Sequence, residues 1–332
     1  MKKMKEKQDK RTKEQKDEEF LSEALQLFEY QYFNNTVYQQ YCDLLHRNPA
    51  QVKTLEELPF LPISFFKTHK IVTETFEPQT VFFSSGTTSA QTSKHYIKDL
   101  ALYERSFTTS FCHFYGAVED YTFLALLPNY QENPNSSLIY MTNKLMKLST
   151  SPYNGYFLNN HQQLFDHLQQ LKTTDRKVIL FGVSYALLDF AEHHQLHFPE
   201  LIVFETGGMK GRRKELVKEE LHAILMAAFG VPKIHSEYGM CELLSQAYSN
   251  GDNIFYTPPQ MKLLLRDERN PLLHSPSLTT GFINVIDLAN KYSCAFIATD
   301  DLGHRHFDGG MEILGRMDSA EVRGCNLLVG ER

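Results

Sequence analysis

A run of hydroxyl side chains near position 85 is the segment of this sequence best suited to bind phosphate. Five hydroxyl residues surround one glycine in the run Ser84, Ser85, Gly86, Thr87, Thr88 and Ser89. Together with Lys94, its backbone N–H groups and hydroxyls could surround a polyphosphate. A Walker A loop has a glycine directly before Lys-Ser/Thr and opens a helix, whereas Lys94 leads into a predicted strand, followed by Asp99 as a predicted helix N-cap. A plain surface loop is the alternative interpretation.

Two further segments carry polar groups where predicted strands end. Thr206, Gly207 and Gly208 follow an apolar run, and paired glycines would let a flat ring lie against the backbone. The segment SEYGMCEL at 236–243 contains an aromatic ring, a glycine and a carboxylate, which could stack on a base, admit a phosphate and ligate Mg²⁺. A simple turn is the alternative for each segment.

Charged residues in the last third of the chain complete the set of candidate ligand contacts. Asp300 and Asp301, in the segment TDDLG, supply acceptors suited to a ribose diol. Arg316, in the segment GRMD, supplies a guanidinium group that could contact phosphate. Taken one at a time, such fragments are more often turns than sites, so their order along the chain carries the interpretation.

Alternating apolar strands and amphipathic helices predict the elements that position these residues. Near-continuous apolar runs at 123–127, 178–181 and 201–204 alternate with helical patterns at 138–148, 162–171, 185–193 and 214–229. This order predicts an α/β fold with a doubly wound, mainly parallel sheet, whose ligand contacts lie at the carboxyl ends of the strands. Residues 19–46 also show helical spacing.

The pattern changes near residue 250, where short strands follow one another without helices. The runs at 260–265, 281–287, 294–299 and 311–314 predict a small C-terminal β subdomain. We therefore expect three parts: a charged tail at 1–18 that is disordered or forms a solvated helix, an α/β core at 19–250 that carries candidate nucleotide contacts, and the β subdomain at 251–332.

Composition excludes several classes of protein. The 332-residue chain is 42% hydrophobic and 22% charged, with a net charge of −6, which argues against a nucleic-acid binder. Its five cysteines are odd in number and form no C-x-x-C pair, so we do not expect disulfides or structural zinc. We expect a cytoplasmic location instead. No apolar run reaches the ~18–20 residues of a membrane helix, and the N-terminus lacks the apolar region of a signal peptide.

The order of the motifs resembles the adenylate-forming superfamily of acyl and aryl ligases, and most closely the acyl-protein synthetase (LuxE-like) family. The resemblance extends from about Leu58 to Cys325. Its most specific segments are FFSSGTTSAQTSKHYI, ETGGMKGRRKEL, SEYGMCELLSQAY and LGRMDSAEVRGCNL. It implies the N-terminal-domain fold of adenylate-forming enzymes without a full mobile lid domain, and ATP and Mg²⁺ as cofactors.

The resemblance also implies a role for each matched residue. The hydroxyl loop would hold the pyrophosphate part of ATP, Thr206, Gly207 and Gly208 would border the adenine, and Tyr238 would stack on it. Three charged contacts follow: Glu242 would ligate Mg²⁺, Asp301 would bind the ribose, and Arg316 would reach ribose or phosphate. Gly239 and Cys241 would lie beside the α-phosphate, although relatives usually have threonine in place of Cys241.

The implied reaction is the ATP-dependent activation of a carboxylic acid, with a fatty acid as the expected substrate. The acyl group would pass from acyl-adenylate to a thiol of Cys325, of a partner protein or of CoA. Charge neutralisation by Lys94, Arg316 and Mg²⁺ would lower the barrier. Relatives usually have glycine in place of Ser89, and the sequence ends soon after Cys325.

Two other functions stay open at this stage. The segment FGVSYA places Ser184 between a predicted strand and helix, as in a hydrolase nucleophile elbow, but Ala186 replaces the second glycine of that motif. A binding or scaffold protein without activity is the other alternative, since Cys241 and the missing lid both depart from the family pattern.

Overall fold

The computed structural model describes residues 11–84, 92–207, 216–268, 270 and 277–316. The helices are α1 (Lys13–Asn34), α2 (Thr36–Leu44), α3 (Phe65–Thr68), α4 (Leu100–Tyr115), α5 (Ser137–Ser149), α6 (His161–Leu171), α7 (Ser184–His193) and α8 (Lys218–Phe229). The first strands are β1 (Leu61–Pro62), β2 (Thr80–Phe83), β3 (Lys94–Ile97), β4 (Tyr121–Leu126), β5 (Gly155–Tyr156), β6 (Lys177–Val183), β7 (Ile202–Thr206) and β8 (His235–Tyr238). The later strands are β9 (Ala247–Ser249), β10 (Ile254–Tyr256), β11 (Met261–Arg266), β12 (Thr280–Asp287), β13 (Phe296–Arg305) and β14 (Met311–Arg316).

One large sheet has a parallel half and an antiparallel half, which meet at β8. In the parallel half the order is β5-β4-β6-β7-β8, and every adjacent pair is parallel. Strand β8 then pairs antiparallel with β9, and the order continues β10-β14-β13-β12-β11. The strands predicted after residue 250 are therefore present, but in the described residues they extend the same sheet. Strands β2 and β3 form a separate hairpin.

The parallel half confirms the predicted buried strands. Every residue of β4 is buried, and in β6 all but the first are buried, because helices cover both faces of such strands. Helices α5, α6 and α7 lie within one residue of their predicted bounds. Helix α8 begins at Lys218, and residues 216 and 217, which were predicted to be helical, precede it.

Two hydrophobic cores form, and they do not follow chain order. The first lies within residues 82–248, in the parallel half. The second joins residues 20–71 to residues 243–311, so Phe28 of α1 packs edge-on against Phe296 of β13, with ring centroids 6.1 Å apart. The N-terminal helices thus pack against the antiparallel half, and the predicted division at residue 250 stays a prediction.

The N-terminal helical pattern forms two helices rather than one. Helix α1 begins at Lys13, inside the predicted charged tail, where Thr12 and Gln15 form a capping box. Asn35 ends α1 and caps α2, and its side-chain amide donates to the Ser293 carbonyl at 3.1 Å. No helix in the described part of the chain is both long and apolar enough to cross a membrane.

Candidate active site

Tyr238, Asp301 and Arg316 meet where β8 ends beside β13 and β14. The Tyr238 hydroxyl donates to Asp301 Oδ2 at 2.8 Å, and Arg316 Nε donates to Asp301 Oδ1 at 3.0 Å. Asp301 lies opposite Arg316 in the β13–β14 pair. Burial and the Asp301 charge raise the pKa of the Tyr238 hydroxyl well above its usual value, so Tyr238 stays a neutral donor. Each Asp301 oxygen retains a second lone pair that could accept from a diol hydroxyl.

Glu242 lies four residues beyond Tyr238 and is almost completely buried. Glu242 is 4% exposed, and the Ser93 hydroxyl lies close to its carboxyl group. Burial raises the pKa of Glu242, while the Ser93 hydroxyl and the more distant charges of Arg316 and Lys67 reduce that rise. Within the described ranges, no lysine, arginine or histidine forms an ion pair with Glu242.

Ser93 also connects Glu242 to the hydroxyl loop. The Ser93 backbone N–H donates to Ser84 Oγ at 3.0 Å, and the Ser84 N–H donates to the Ser93 carbonyl at 3.2 Å. These two bonds close the base of the loop, of which Ser84 is the last described residue on the incoming side. The base of the predicted phosphate loop therefore lies beside the predicted magnesium ligand.

The residues around Glu242 fit a magnesium ion held jointly with a nucleotide. The described residues contain no group of three or more His, Cys, Asp or Glu side chains that could hold a metal ion by itself. Mg²⁺ is commonly held by one or two carboxylates while phosphates and water supply its other ligands. Glu242 suits this role, because it is buried beside the base of the hydroxyl loop and pairs with no cation among the described residues.

The ends of β7 and β8 carry two more buried carboxylates, which the sequence interpretation missed. Thr206 Oγ1 donates to Glu237 Oε2 at 2.7 Å, and burial raises the pKa of Glu237 to about 7. The backbone of Gly239 lies very close to the Glu237 side chain: a Cβ at Gly239 would lie 2.3 Å from Glu237 Oε1. On the other face, Glu205 lies 3.8 Å from the Lys218 ammonium.

Glu205 and Ser184 hold the segment that was predicted to border the adenine. Ser184 Oγ donates to Glu205 Oε1 at 2.6 Å and lies 2.8 Å from the carbonyl oxygen of Gly207, whose φ is +66°. Burial would raise the pKa of Glu205, but His222, Lys218 and the Ser184 hydroxyl lower it overall. The Ser184 hydrogen bonds in the described chain thus go to a carboxylate and a carbonyl and not to a histidine base, which disfavours the hydrolase alternative.

The remaining predicted residues fall into two groups. Lys94 is exposed at the start of β3, opposite Phe83, and Cys241 is buried, which raises its thiol pKa well above the usual value. Seven predicted residues lie outside the described part of the chain: Ser85, Gly86, Thr87, Thr88, Ser89, Gly208 and Cys325.

Sequence reasoning missed three polar residues that surround Glu242. Ser93 and His95 flank Lys94 inside a segment already singled out, and their alternation along β3 could have identified them. Asn290, which bonds to the Glu242 carbonyl at 2.8 Å, stands in a turn with no sequence signal.

An aromatic cavity of about 390 Å³ opens elsewhere, at the amino ends of β7 and β8. Its lining includes Tyr115, Tyr121 and His235. The predicted site residues do not line this cavity, since they lie at the carboxyl ends of the same strands. This aromatic cavity and the candidate active site are therefore separate features.

A family model described as "Acyl-protein synthetase, LuxE" matches residues 8–332 of the chain. A long-chain-fatty-acid–luciferin-component ligase of Aliivibrio fischeri is 23% identical over 324 residues, which cover 90% of this chain and 85% of that protein. The ligase of the same name from Vibrio harveyi is 23% identical over 331 residues, with 92% and 85% covered.

Two solved structures show the fold. A 2-hydroxyisobutyryl-CoA ligase in complex with 2-HIB-AMP and CoA has a TM-score of 0.64 at 14% identity, covering 92% of this chain and 71% of that one. ATP-bound MatB of Rhodopseudomonas palustris has a TM-score of 0.52 at 14% identity over 73% of this chain, which spans about half (49%) of MatB. The predicted fold class, that of adenylate-forming enzymes, is confirmed.

Proposed function

Because the chain belongs to the acyl-protein synthetase (LuxE) family, we propose that it activates a fatty acid with ATP and transfers the acyl group to a thiol. One observation in the structure supports this proposal most directly. Tyr238 and Arg316 both donate hydrogen bonds to Asp301, and Ser93 lies between Glu242 and the base of the hydroxyl loop. These contacts between distant segments support the proposal that the segments form one site.

Each residue has a part that its position suits. Asp301 accepts from the ribose hydroxyls, Tyr238 and the backbone of Thr206 and Gly207 border the base, and Arg316 and Lys94 contact phosphate. Glu242 ligates Mg²⁺, which would neutralise phosphate charge when bound. The contribution of these residues to the rate is positioning and charge stabilisation, because they form no bond to the reacting atoms.

The chemistry takes two displacements. A carboxylate oxygen of the acid attacks the α-phosphorus of ATP, a P–O bond forms, and pyrophosphate leaves with the bridging oxygen. A thiolate then attacks the acyl carbon, a C–S bond forms, and AMP leaves with the electrons of the C–O bond. The buried Cys241 thiol is unsuited to this second step because burial raises its pKa and so disfavours the thiolate.

Exchange of labelled pyrophosphate into ATP tests the first step. We expect exchange that depends on both Mg²⁺ and a fatty acid, with the rate varying along a series of acids from short to long chains. Heat-treated protein is the control. Absence of exchange with every acid in the series would contradict the proposed activity and favour the scaffold alternative.

A labelling experiment tests whether Cys325 is the thiol acceptor. Labelled fatty acid and ATP should leave a hydroxylamine-sensitive adduct on the wild type and on Cys112→Ser, which serves as the matched control. Cys325→Ser should lack the adduct. If Cys325→Ser acquires the same thioester label, another cysteine of the chain carries the acyl group and Cys325 is not the acceptor. If the wild type acquires no label, CoA or a thiol of a partner protein is the better candidate acceptor.

A further inference from the structure

The segment that carries Glu242 depends on side chains from distant parts of the chain for its hydrogen bonds. Residues 239–244 form no strand or helix, so neighbouring strands do not pair with their backbone groups. Buried carbonyl groups nevertheless need hydrogen-bond partners, and leaving one without a partner costs about 1–3 kcal/mol. The carbonyls on either side of the Glu242 Cα, those of Cys241 and Glu242, both find side-chain donors.

His95 supplies the donor for the first of these carbonyls. It is 1% exposed, and its Nδ1 donates to the Cys241 carbonyl oxygen at 2.8 Å. Its Nε2 lies 3.1 Å from Asn290 Oδ1, and the Phe66 ring packs at a right angle to it with centroids 6.1 Å apart. The bond to the Cys241 carbonyl and the contact with Phe66 therefore orient the imidazole ring.

Asn290 supplies the donor for the second carbonyl. It is 1% exposed, and its Nδ2 donates to the Glu242 carbonyl at 2.8 Å and to the Cys294 carbonyl at 2.9 Å. Asp287 fixes the residues that follow, since its carboxylate accepts from the N–H groups of Leu244 and Ser245 at 2.7 and 2.9 Å. Glu242 is thus held on both sides by buried side chains.

The start of β3 and the residue before it bring two side chains toward the Glu242 segment. Ser93, just before β3, and His95 within it are both buried and point toward the Glu242 segment, while Lys94 between them is exposed. The Ser93 hydroxyl lies beside the Glu242 carboxyl group, and His95 bonds the carbonyl of the residue before it. The strand that leaves the hydroxyl loop therefore orients the Glu242 carboxyl group and its backbone together.

We propose that His95 and Asn290 are positioning residues that hold the Glu242 carboxylate in place for Mg²⁺. This inference rests on the proposed role of Glu242 in binding MgATP. Removing either side chain leaves the backbone beside Glu242 without its donor, so the carboxylate adopts several orientations. The expected consequence is a higher Mg²⁺ requirement, because loss of the groups that orient a metal ligand typically lowers metal affinity by about 10–100-fold.

The experiment measures the Mg²⁺ concentration that half-saturates ATP binding, together with the thermal unfolding midpoint. His95→Leu and Asn290→Leu should raise that concentration about tenfold or more. His235→Leu is the matched control: His235 is also a buried histidine with one ring hydrogen bond, 3.0 Å to the Tyr115 hydroxyl, but it lies beside the aromatic cavity. It should lower the unfolding midpoint and leave the Mg²⁺ requirement unchanged.

A conservative variant separates positioning from general stability. His95→Gln keeps one N–H donor, so its Mg²⁺ requirement should fall between those of the wild type and His95→Leu. If both leucine variants fail to fold, a raised requirement in His95→Gln supports the proposal and an unchanged one overturns it. Folded leucine variants with the wild-type Mg²⁺ requirement also overturn it.

The Mg²⁺ dependence of ATP binding, measured together with pyrophosphate exchange, distinguishes failure of this inference from failure of the proposed function. A wild-type protein that binds ATP in a Mg²⁺-dependent way but exchanges no pyrophosphate with any acid overturns the acyl ligase, while the variants still decide the role of His95. A wild-type protein whose ATP binding is independent of Mg²⁺ overturns the positioning role directly.

Discussion

Glu205 and Glu242 are both buried near the ends of adjacent strands, at 3% and 4% exposure, but their pKa values shift in opposite directions. Glu205 has Lys218, His222 and the Ser184 hydroxyl around it, and these outweigh the cost of burying its charge. Among the described residues, Glu242 has the Ser93 hydroxyl beside it and only more distant positive charges, so burial dominates. A buried carboxylate that pairs with a cation of the chain stabilises the fold, whereas a buried carboxylate without a cation among its described neighbours is suited to an external ion.

The largest effect that this comparison predicts is on Mg²⁺-dependent ATP binding. Glu242→Gln removes the proposed ligand charge, and we expect the Mg²⁺ requirement for ATP binding to rise by roughly a hundredfold. Its thermal unfolding midpoint should not fall, because a neutral amide removes the cost of burying a charge. Titration of Mg²⁺ at fixed ATP, with unfolding monitored in parallel, measures both quantities.

Glu205→Gln is the matched control for that variant. It leaves Lys218 and the Ser184 hydroxyl without their anion, so the free energy of unfolding should fall by about 2 kcal/mol, with an unchanged Mg²⁺ requirement. The distinction between the two carboxylates fails if Glu205→Gln raises the Mg²⁺ requirement as much as Glu242→Gln does.

Glu237 sharpens the comparison through the pH dependence of stability. Burial, together with the charge of Glu205, raises its pKa from 4.5 to about 7, although the Thr206 hydroxyl opposes the rise. Between about pH 5 and about pH 7 the folded state holds a proton that the unfolded state has lost, so stability falls by about 2 kcal/mol as pH rises. Denaturant unfolding at several pH values should show this fall in the wild type, and Glu237→Gln should lack it. Parallel curves for the two proteins would contradict the raised pKa.

Asp301 extends the comparison to a carboxylate whose cationic partner, Arg316, is an exposed side chain. Asp301→Asn weakens the contacts with Arg316 and with a ribose diol, so ATP affinity should fall about tenfold with little loss of stability. Asp300→Asn, at the exposed neighbouring position, is the control and should bind ATP like the wild type. Equal affinities of the two variants, measured by calorimetric titration, would remove Asp301 from the nucleotide site.

The smallest predicted effect concerns Ser184. Ser184→Ala removes a hydrogen bond to Glu205, so the free energy of unfolding should fall by about 1 kcal/mol, and pyrophosphate exchange should persist. Denaturant unfolding and the exchange assay measure the two quantities. A folded Ser184→Ala protein with normal ATP binding and a lost hydrolytic activity would restore the nucleophile interpretation.

Local sequence patterns predicted the helices and strands that depend mainly on nearby residues. The apolar runs of β4, β6 and β7 form the parallel strands, and the N-cap predicted at Asp99 is confirmed, since its side chain accepts from the Ala101 N–H at 2.9 Å. The division of the N-terminal helical pattern at Asn35 was not predicted, although asparagine is a common N-cap residue. The bond of its amide to Ser293, 258 residues away, has no local signal in the sequence.

The sequence by itself determined the strand and helix types, the family, and the identity of Tyr238, Glu242, Asp301 and Arg316 as candidates, because periodicity and motif order are properties of short segments. Only the tertiary structure decided which buried carboxylate has a cationic partner within the described part of the chain. It also decided that Ser93, His95 and Asn290 surround Glu242. The pKa of a buried group depends on which charges and hydrogen-bond partners the fold brings next to it. Burial strengthens each of these interactions, because the protein interior screens charge less than water does.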